Sequence, residues 1–243
     1  MAPASPADLT RRLLAYAVAL GVFLLIPPTL KASVGPPVAF TAQEAMDLLT
    51  PLVVLPLAWW ILDGTGGLRG RALVAFVVFA ALWAQAQGIH LAANAIGDAF
   101  PVGPERDAFY ATTAGDLDHW LDEVLGHWAW HVAWVAISVL MLVLATRGGP
   151  VESDGRGRAL TTLAGTISGV VFFFVTTEGE TWTLGMLASI VLLVWTGLDR
   201  LRGVRHPVVG FLFTSSLVTL LAYLIWAIRF GWPLAEPCAL LHC

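Results

Sequence analysis

An all-α membrane bundle of about seven transmembrane helices is the fold class this sequence predicts, and three observations predict it. Apolar residues make up 58% of the chain and charged residues only 12%, about half the share usual in a soluble domain. The mean hydropathy is +0.77. The apolar residues also gather into segments of roughly 20 residues, the length a helix needs to cross about 30 Å of hydrocarbon. These segments run over 13–30, 45–62, 71–96, 118–146, 159–177, 182–199 and 207–230. Together with short loops they use up the 243 residues, so one transmembrane domain over 1–243 is expected.

The first segment follows Arg11 and Arg12 and runs apolar from Leu13 to Ile26. It reads as a retained span rather than a cleaved signal peptide, because Pro27-Pro28-Thr29-Leu30-Lys31 offers no small-x-small cleavage site. Thr41 and Glu44 have capping-box spacing at the start of the second span. Pro51 and Pro56 inside that span predict a kink. Glycine-rich stretches at Asp63–Arg71 and Arg147–Arg158 read as turns between spans.

Basic residues orient the chain. With the N-terminus inside, the inner segments hold Arg11, Arg12, Arg69, Arg71, Arg147, Arg156, Arg158, Arg200, Arg202 and Arg205. The outer segments hold Lys31, Arg106 and Arg229. The positive-inside rule therefore puts the N-terminus in the cytoplasm and the C-terminus outside a cell membrane. The acids run the other way: only Asp8, Asp63, Glu152, Asp154 and Asp199 fall inside. The outer face is thus expected to be negative and to favour cations.

Five of the six histidines also fall on the outer side, namely His90, His119, His127, His131 and His242. His206 stands beside Arg205 in a basic inner loop and reads as a surface residue. On the third span Gln87, His90, Asn94 and Asp98 lie within about 80° of one another at 100° per residue. On the fourth, Glu123, His127 and His131 are spaced i, i+4, i+8 and stack along one face, with His119 extending the stripe. At about 1.5 Å per residue, His90 and His127 sit at similar depths, some 9 Å inside the outer end. Glu44 and Asp47 on the second span, and Glu178 at the end of the fifth, reach the same level.

Ionisable groups inside a membrane are costly and face the bundle interior. Three imidazoles with a carboxylate in the same stripe match transition-metal ligation, and three histidines with an open fourth position suit catalytic zinc. The expected site therefore has His90, His127 and His131 as metal ligands and Glu123 as a fourth ligand or general base. Asp122 is expected behind them, Glu178 as a further catalytic carboxylate, and Gln87 and Asn94 as substrate-positioning groups. Zinc is the favoured metal, with iron or copper open. Asp98, Glu105, Asp107, Asp116 and Asp118 read as solvated loop residues. Trp120, Trp128, Trp130 and Trp134 read as belt and packing residues.

These histidines resemble in kind the ligands of the seven-helix zinc hydrolases that include alkaline ceramidases and adiponectin-receptor-like proteins. That family uses a histidine on an early span, an aspartate, and a His-x3-His pair on the last span. Here the pair lies on the fourth span, and Ala86 stands where a Ser-x3-His motif has serine. The resemblance implies a three-histidine metal in a helix bundle; zinc there would activate water for hydrolysis, and a lipid or amphipathic substrate fits the location. Rhodopsins are excluded, because the single lysine, Lys31, lies outside the last span. Membrane desaturases need about eight histidines and fit poorly.

Two other classes stay open. A haem protein carrying electrons would pair His90 with His127 or His131 as axial ligands. A metal-cation transporter would use the acidic outer face as a funnel, but only scattered hydroxyls such as Thr161, Thr162, Thr166 and Ser168 continue inward. The expected partners are the lipid bilayer and a small-molecule or lipid substrate. No nucleic-acid motif is present, and the sequence leaves the oligomeric state open. Cys238 and Cys243 close the expected outer tail with disulfide-permissive spacing.

Overall fold

The structure is a computed structural model that describes residues 3–30, 41–100, 103–147 and 152–234. Cys238, His242, Cys243 and Lys31 lie outside the described residues. Among the described residues the regular elements are helices: α1 (Pro6–Leu25), α2 (Ala42–Gly64), α3 (Arg71–Asp98), α4 (Pro104–Tyr110), α5 (Thr113–His119), α6 (His127–Arg147), α7 (Gly155–Glu178), α8 (Trp182–Leu201) and α9 (Pro207–Phe230). A π-helical segment, Trp120–Gly126, joins α5 to α6 into one continuous helix over Thr113–Arg147.

Six of these helices are long and apolar enough to cross a membrane: α2, α3, the continuous Thr113–Arg147 helix, α7, α8 and α9. Their outward faces carry exposed Leu52, Val74, Val78, Leu187, Ile225 and Ile228. Apolar cover on that scale suits hydrocarbon, since a soluble monomer exposes only limited apolar patches. α1 differs in carrying Asp8, Arg11 and Arg12 in its first two turns. Its other face is buried through Leu9, Leu13, Tyr16, Ala17 and Leu20, against α2 and α7. Arg12 bonds Asp8 at 2.6 Å and the Trp60 carbonyl at 2.6 Å, and lies over the Trp60 ring. The cation is therefore partnered at the edge of the bundle.

Local signals set the helix starts. Ser5, Thr41, Thr112 and Asp154 each accept a backbone N–H of the first turn through a side-chain oxygen. The Thr41–Glu44 capping box is complete. His206 begins α9 in the same way: its Nδ1 accepts the Val208 N–H at 3.3 Å, and Pro207 follows as the first helical residue. It is buried, not the surface residue its loop position implied. Burial pushes its imidazole down to about 4, against about 6.5 for an unfolded histidine. Between those values the unfolded chain binds a proton that the folded chain does not. Stability is therefore unaffected above pH 6.5 and falls as pH drops toward 4, by on the order of 3 kcal/mol. We expect His206→Asn, which keeps a cap acceptor, to narrow the gap between the thermal midpoints at pH 7 and pH 4.5. An unchanged gap would contradict this account.

Among the described residues the most extensively packed helix pair is α7 with α9. Gly165 and Gly169 form a small-xxx-small face on α7. A Cβ at Gly169 would meet the Ser215 carbonyl at 2.5 Å and Val218 Cβ at 2.9 Å. Across the same seam Thr219 donates to the Gly169 carbonyl at 3.0 Å, and the Thr176 and Tyr223 hydroxyls bond at 2.5 Å. Gly169→Ala is expected to force the pair apart at a cost of roughly 1–3 kcal/mol, read as a lowered thermal midpoint. Gly88→Ala on α3 meets nothing within 4 Å and is expected to leave the midpoint unchanged or raise it.

Hydroxyls that look scattered along the chain meet in space. Ser138, Ser168, Ser189, Ser215, Ser216 and Thr219 line a cavity of about 20 Å³ inside the bundle, room for one water molecule. No carboxylate or imidazole among the described residues joins its wall.

Candidate metal centre

The histidines meet at one end of the bundle, where α3 ends, α6 begins and α7 ends. Tryptophans form the floor. Trp83 of α3 is fully buried; it stacks on Trp134 at 5.2 Å between ring centroids and meets Trp130 edge-on at 6.0 Å. Trp130 in turn lies 6.3 Å from His90, 6.4 Å from His127 and 4.8 Å from His131, ring to ring. Trp120 and Trp128 are exposed, so two of the four tryptophans of this helix pack and two face outward.

Each of three imidazoles is held through Nδ1. His90 Nδ1 lies 2.5 Å from Asp122 Oδ1, and His127 Nδ1 lies 3.0 Å from Glu123 Oε2. Ionised carboxylates only accept, so in the neutral rings these nitrogens carry the proton. His131 Nδ1 lies 2.5 Å from Thr181 Oγ1. That hydroxyl donates to the Thr176 carbonyl at 3.4 Å and so accepts from the imidazole. In every case Nε2 is left with its lone pair. At His90 it receives the Asn94 amide at 3.0 Å. At His131, which is fully buried, Nε2 has no hydrogen-bond partner among the described residues. An imidazole pinned at one nitrogen with the other nitrogen bare is the arrangement that metal-binding histidines adopt.

The ring of His90 is 4.6 Å from that of His127, and His127 and His131 stack in parallel at 5.9 Å. Ligand atoms of His90, Asp122 and His127 all lie within 4.8 Å of one another. Tetrahedral zinc with bonds of about 2.0–2.1 Å separates its ligands by roughly 3.3 Å, so joint ligation by His90 and Asp122 requires the hydrogen bonds that His90 makes to Asp122 and Asn94 to open. The three residues could hold a metal ion.

The two adjacent acids take different histidines: Asp122, expected behind the ligands, accepts from His90 Nδ1 and also counts in the close group, and Glu123 accepts from His127 Nδ1. The π segment contributes to this placement, because its wider turn inserts about one extra residue, or about 100° of helical phase. The same offset takes His119 off the stripe and leaves it exposed. Asp98 also leaves the stripe; it pairs with Arg106 at 3.0 Å. Gln87 is buried one turn below His90, with Oε1 lacking a partner. Glu178 is the half-buried last residue of α7.

Gly179, the next residue, lies against the site. A Cβ there would come within 2.7 Å of His127 Cγ and 2.9 Å of Cδ2. Sequence reasoning gave no role to Thr181 or Gly179, and no local pattern distinguishes them. It placed Asp118 among solvated residues, yet Asp118 is buried, with Oδ1 unpartnered and Oδ2 3.5 Å from the Tyr110 hydroxyl. The short helix α4 folds back over α5 and covers it. Glu105, Asp107 and Asp116 are exposed, as expected. Asp47 of α2 is buried.

No family model, curated protein or solved structure matches this chain.

Proposed function

We propose that this protein is a multi-pass membrane metalloenzyme whose metal is held by His90, His127 and Asp122, with His131 supplying a third nitrogen. The observation that carries the reading is the close approach of His90, Asp122 and His127 ligand atoms, all within 4.8 Å. The bare, buried Nε2 of His131 supports it. In this reading α1 is the seventh transmembrane helix, the N-terminus is cytoplasmic, and the site opens to the outer face. The arginine distribution supports that orientation.

Two or three nitrogens with one carboxylate favour zinc. Bound there, zinc would act as a Lewis acid and make water a nucleophile near neutral pH. Glu123, whose side chain is 31% exposed against 16% for Asp122, is the carboxylate with access to solvent and serves as proton acceptor. Glu178 is a further carboxylate at the rim. Asn94 and Gln87 position water or substrate along the α3 stripe. A lipid or amphipathic substrate fits a site at a bundle end flanked by exposed Trp120, Val124 and Trp128.

The test is hydrolysis of lipid esters and amides by zinc-loaded protein. Turnover should stop on chelation and return with zinc, and Glu123→Gln, whose amide oxygen still accepts from His127 Nδ1, should lower kcat about 10²–10⁴-fold at saturating zinc. Turnover that survives chelation, or that Glu123→Gln leaves intact, would overturn the reading. One observation favours a second one: two histidines and a carboxylate are also the ligand set of non-haem iron oxygenases. Iron in the purified protein would decide for it. The 4.6 Å contact between the His90 and His127 rings favours a small ion over haem, because a macrocycle needs its axial rings on opposite sides.

A further inference from the structure

A second polar cavity lies at the other end of the bundle. α7 runs from it, at Arg158 and Thr161, to the histidines, at Thr176 and beyond; the 15 residues from Thr161 to Thr176 span about 22 Å of helix. The cavity encloses about 490 Å³, within the range of small-molecule sites. Arg158 of α7, Arg200 of α8 and Arg205 of the α8–α9 connection line it, with Thr161, Ser153 and one carboxylate, Glu152.

The cations are placed rather than merely numerous. The Arg200 guanidinium carbon lies over the Phe213 ring, 4.3 Å from its centroid. Among the described residues the side chains of Arg158 and Arg205 form no ion pair or hydrogen bond. Ser153 Oγ is buried without a partner. Orienting a chain in a membrane needs only a count of positive charges in its loops. It does not need three of them, from three segments, around one hollow with hydroxyl donors in the wall. Arg202, three residues before Arg205, pairs with Asp199 instead, at 3.8 Å.

We infer that this cavity binds a phosphate group, of an anionic lipid or of a soluble phosphate ester. Guanidinium forks match phosphate oxygens in pairs. Three arginines against one carboxylate leave a net charge of about +2 for a phosphate to neutralise. Basic pockets between transmembrane helices at the membrane edge hold lipid headgroups in this way. Leu198 and Leu201, exposed at the adjoining end of α8, offer acyl chains an apolar surface beside the cavity.

The experiment compares wild type with Arg158→Gln/Arg205→Gln and with Arg71→Gln/Arg202→Gln, which removes the same charge from the same bundle end outside the cavity. Binding of phosphatidylglycerol and of phosphatidylcholine with matched chains is measured by native mass spectrometry, and inorganic phosphate is titrated in a thermal-shift assay. A lipid site gives preferential phosphatidylglycerol binding that falls at least tenfold in the cavity variant and holds in the other. A site for soluble esters gives no lipid preference, but a phosphate-dependent rise in midpoint that only the cavity variant loses. Equal losses in both variants, or a wild type with neither a phosphatidylglycerol preference nor a phosphate-dependent rise in midpoint, would overturn the inference.

Discussion

His127→Ala is expected to purify with less than about a tenth of the metal that the wild-type protein carries. His127 belongs to the group whose ligand atoms lie within 4.8 Å of one another, and its Nδ1 is already committed to Glu123. Among the described residues no hydrogen bond to its Nε2 competes with a metal, so on the proposed reading truncation deletes a ligand outright. Loss of a supporting outer group alone costs about 10–100-fold in metal affinity, and loss of a ligand costs at least that. Two companion variants separate ligation from packing. His119→Ala removes an exposed imidazole seven residues before Gly126 and should leave metal content unchanged. Asp122→Asn keeps the side chain's shape and a hydrogen bond to His90 but removes the carboxylate proposed as a ligand, and should lower metal content with little change in thermal midpoint. Full metal occupancy in His127→Ala would mean that these histidines bond one another and the carboxylates as interhelical polar contacts, and the metalloenzyme reading would fall with it.

Gly179→Ala should weaken metal binding by at least about tenfold without unfolding the protein. The backbone at Gly179, φ −87° and ψ 24°, is open to any residue, so nothing in its conformation demands glycine. What demands it is the His127 ring, whose Cγ, Cδ2 and Nδ1 would lie 2.7, 2.9 and 3.0 Å from the added Cβ. Real Cβ contacts do not close to 2.7 Å, and the end of α7 is tied by the His131–Thr181 hydrogen bond. The imidazole is therefore the part that moves. A displaced ring loses its alignment with Glu123 and with His90, 4.6 Å away, and misplacement on the scale of 1 Å is costly in a preorganised site. Metal titration of folded Gly179→Ala protein measures this. Wild-type affinity there would show that the ring tolerates displacement and that its packing against α7 has no part in the site.

Much of this architecture is legible in one dimension. Hydropathy marks the spans, since any segment that meets hydrocarbon must be apolar along its length, and the six membrane-length helices fall where the apolar runs do. The Thr41–Glu44 cap is also local, because donor and acceptor sit three residues apart. Helical period and depth bring His90, His127 and Asp122 to one level at one bundle end. That is why the close group was foreseeable as residues, although not as partners.

Partners are a property of packing. Whether Asp122 or Glu123 faces His90 depends on the helical phase, and a π turn between Trp120 and Gly126 shifts that phase without any composition signal. Thr181 holds His131, and Gly179 abuts His127, across a gap of about 50 residues, a distance over which sequence pattern carries no information. Asp118 and His206 sit in polar local sequence yet are buried, one beneath the short helix α4 and one as the cap of α9. The convergence of Arg158, Arg200 and Arg205 follows the same logic. The sequence by itself determined which side chains tolerate lipid, where the helices begin and which polar groups share a level, because these are set by transfer free energy and the 3.6-residue period. Tertiary structure alone decided which of those groups touch, because contact depends on how closely helices approach, and here glycines at 165, 169 and 179 set that distance.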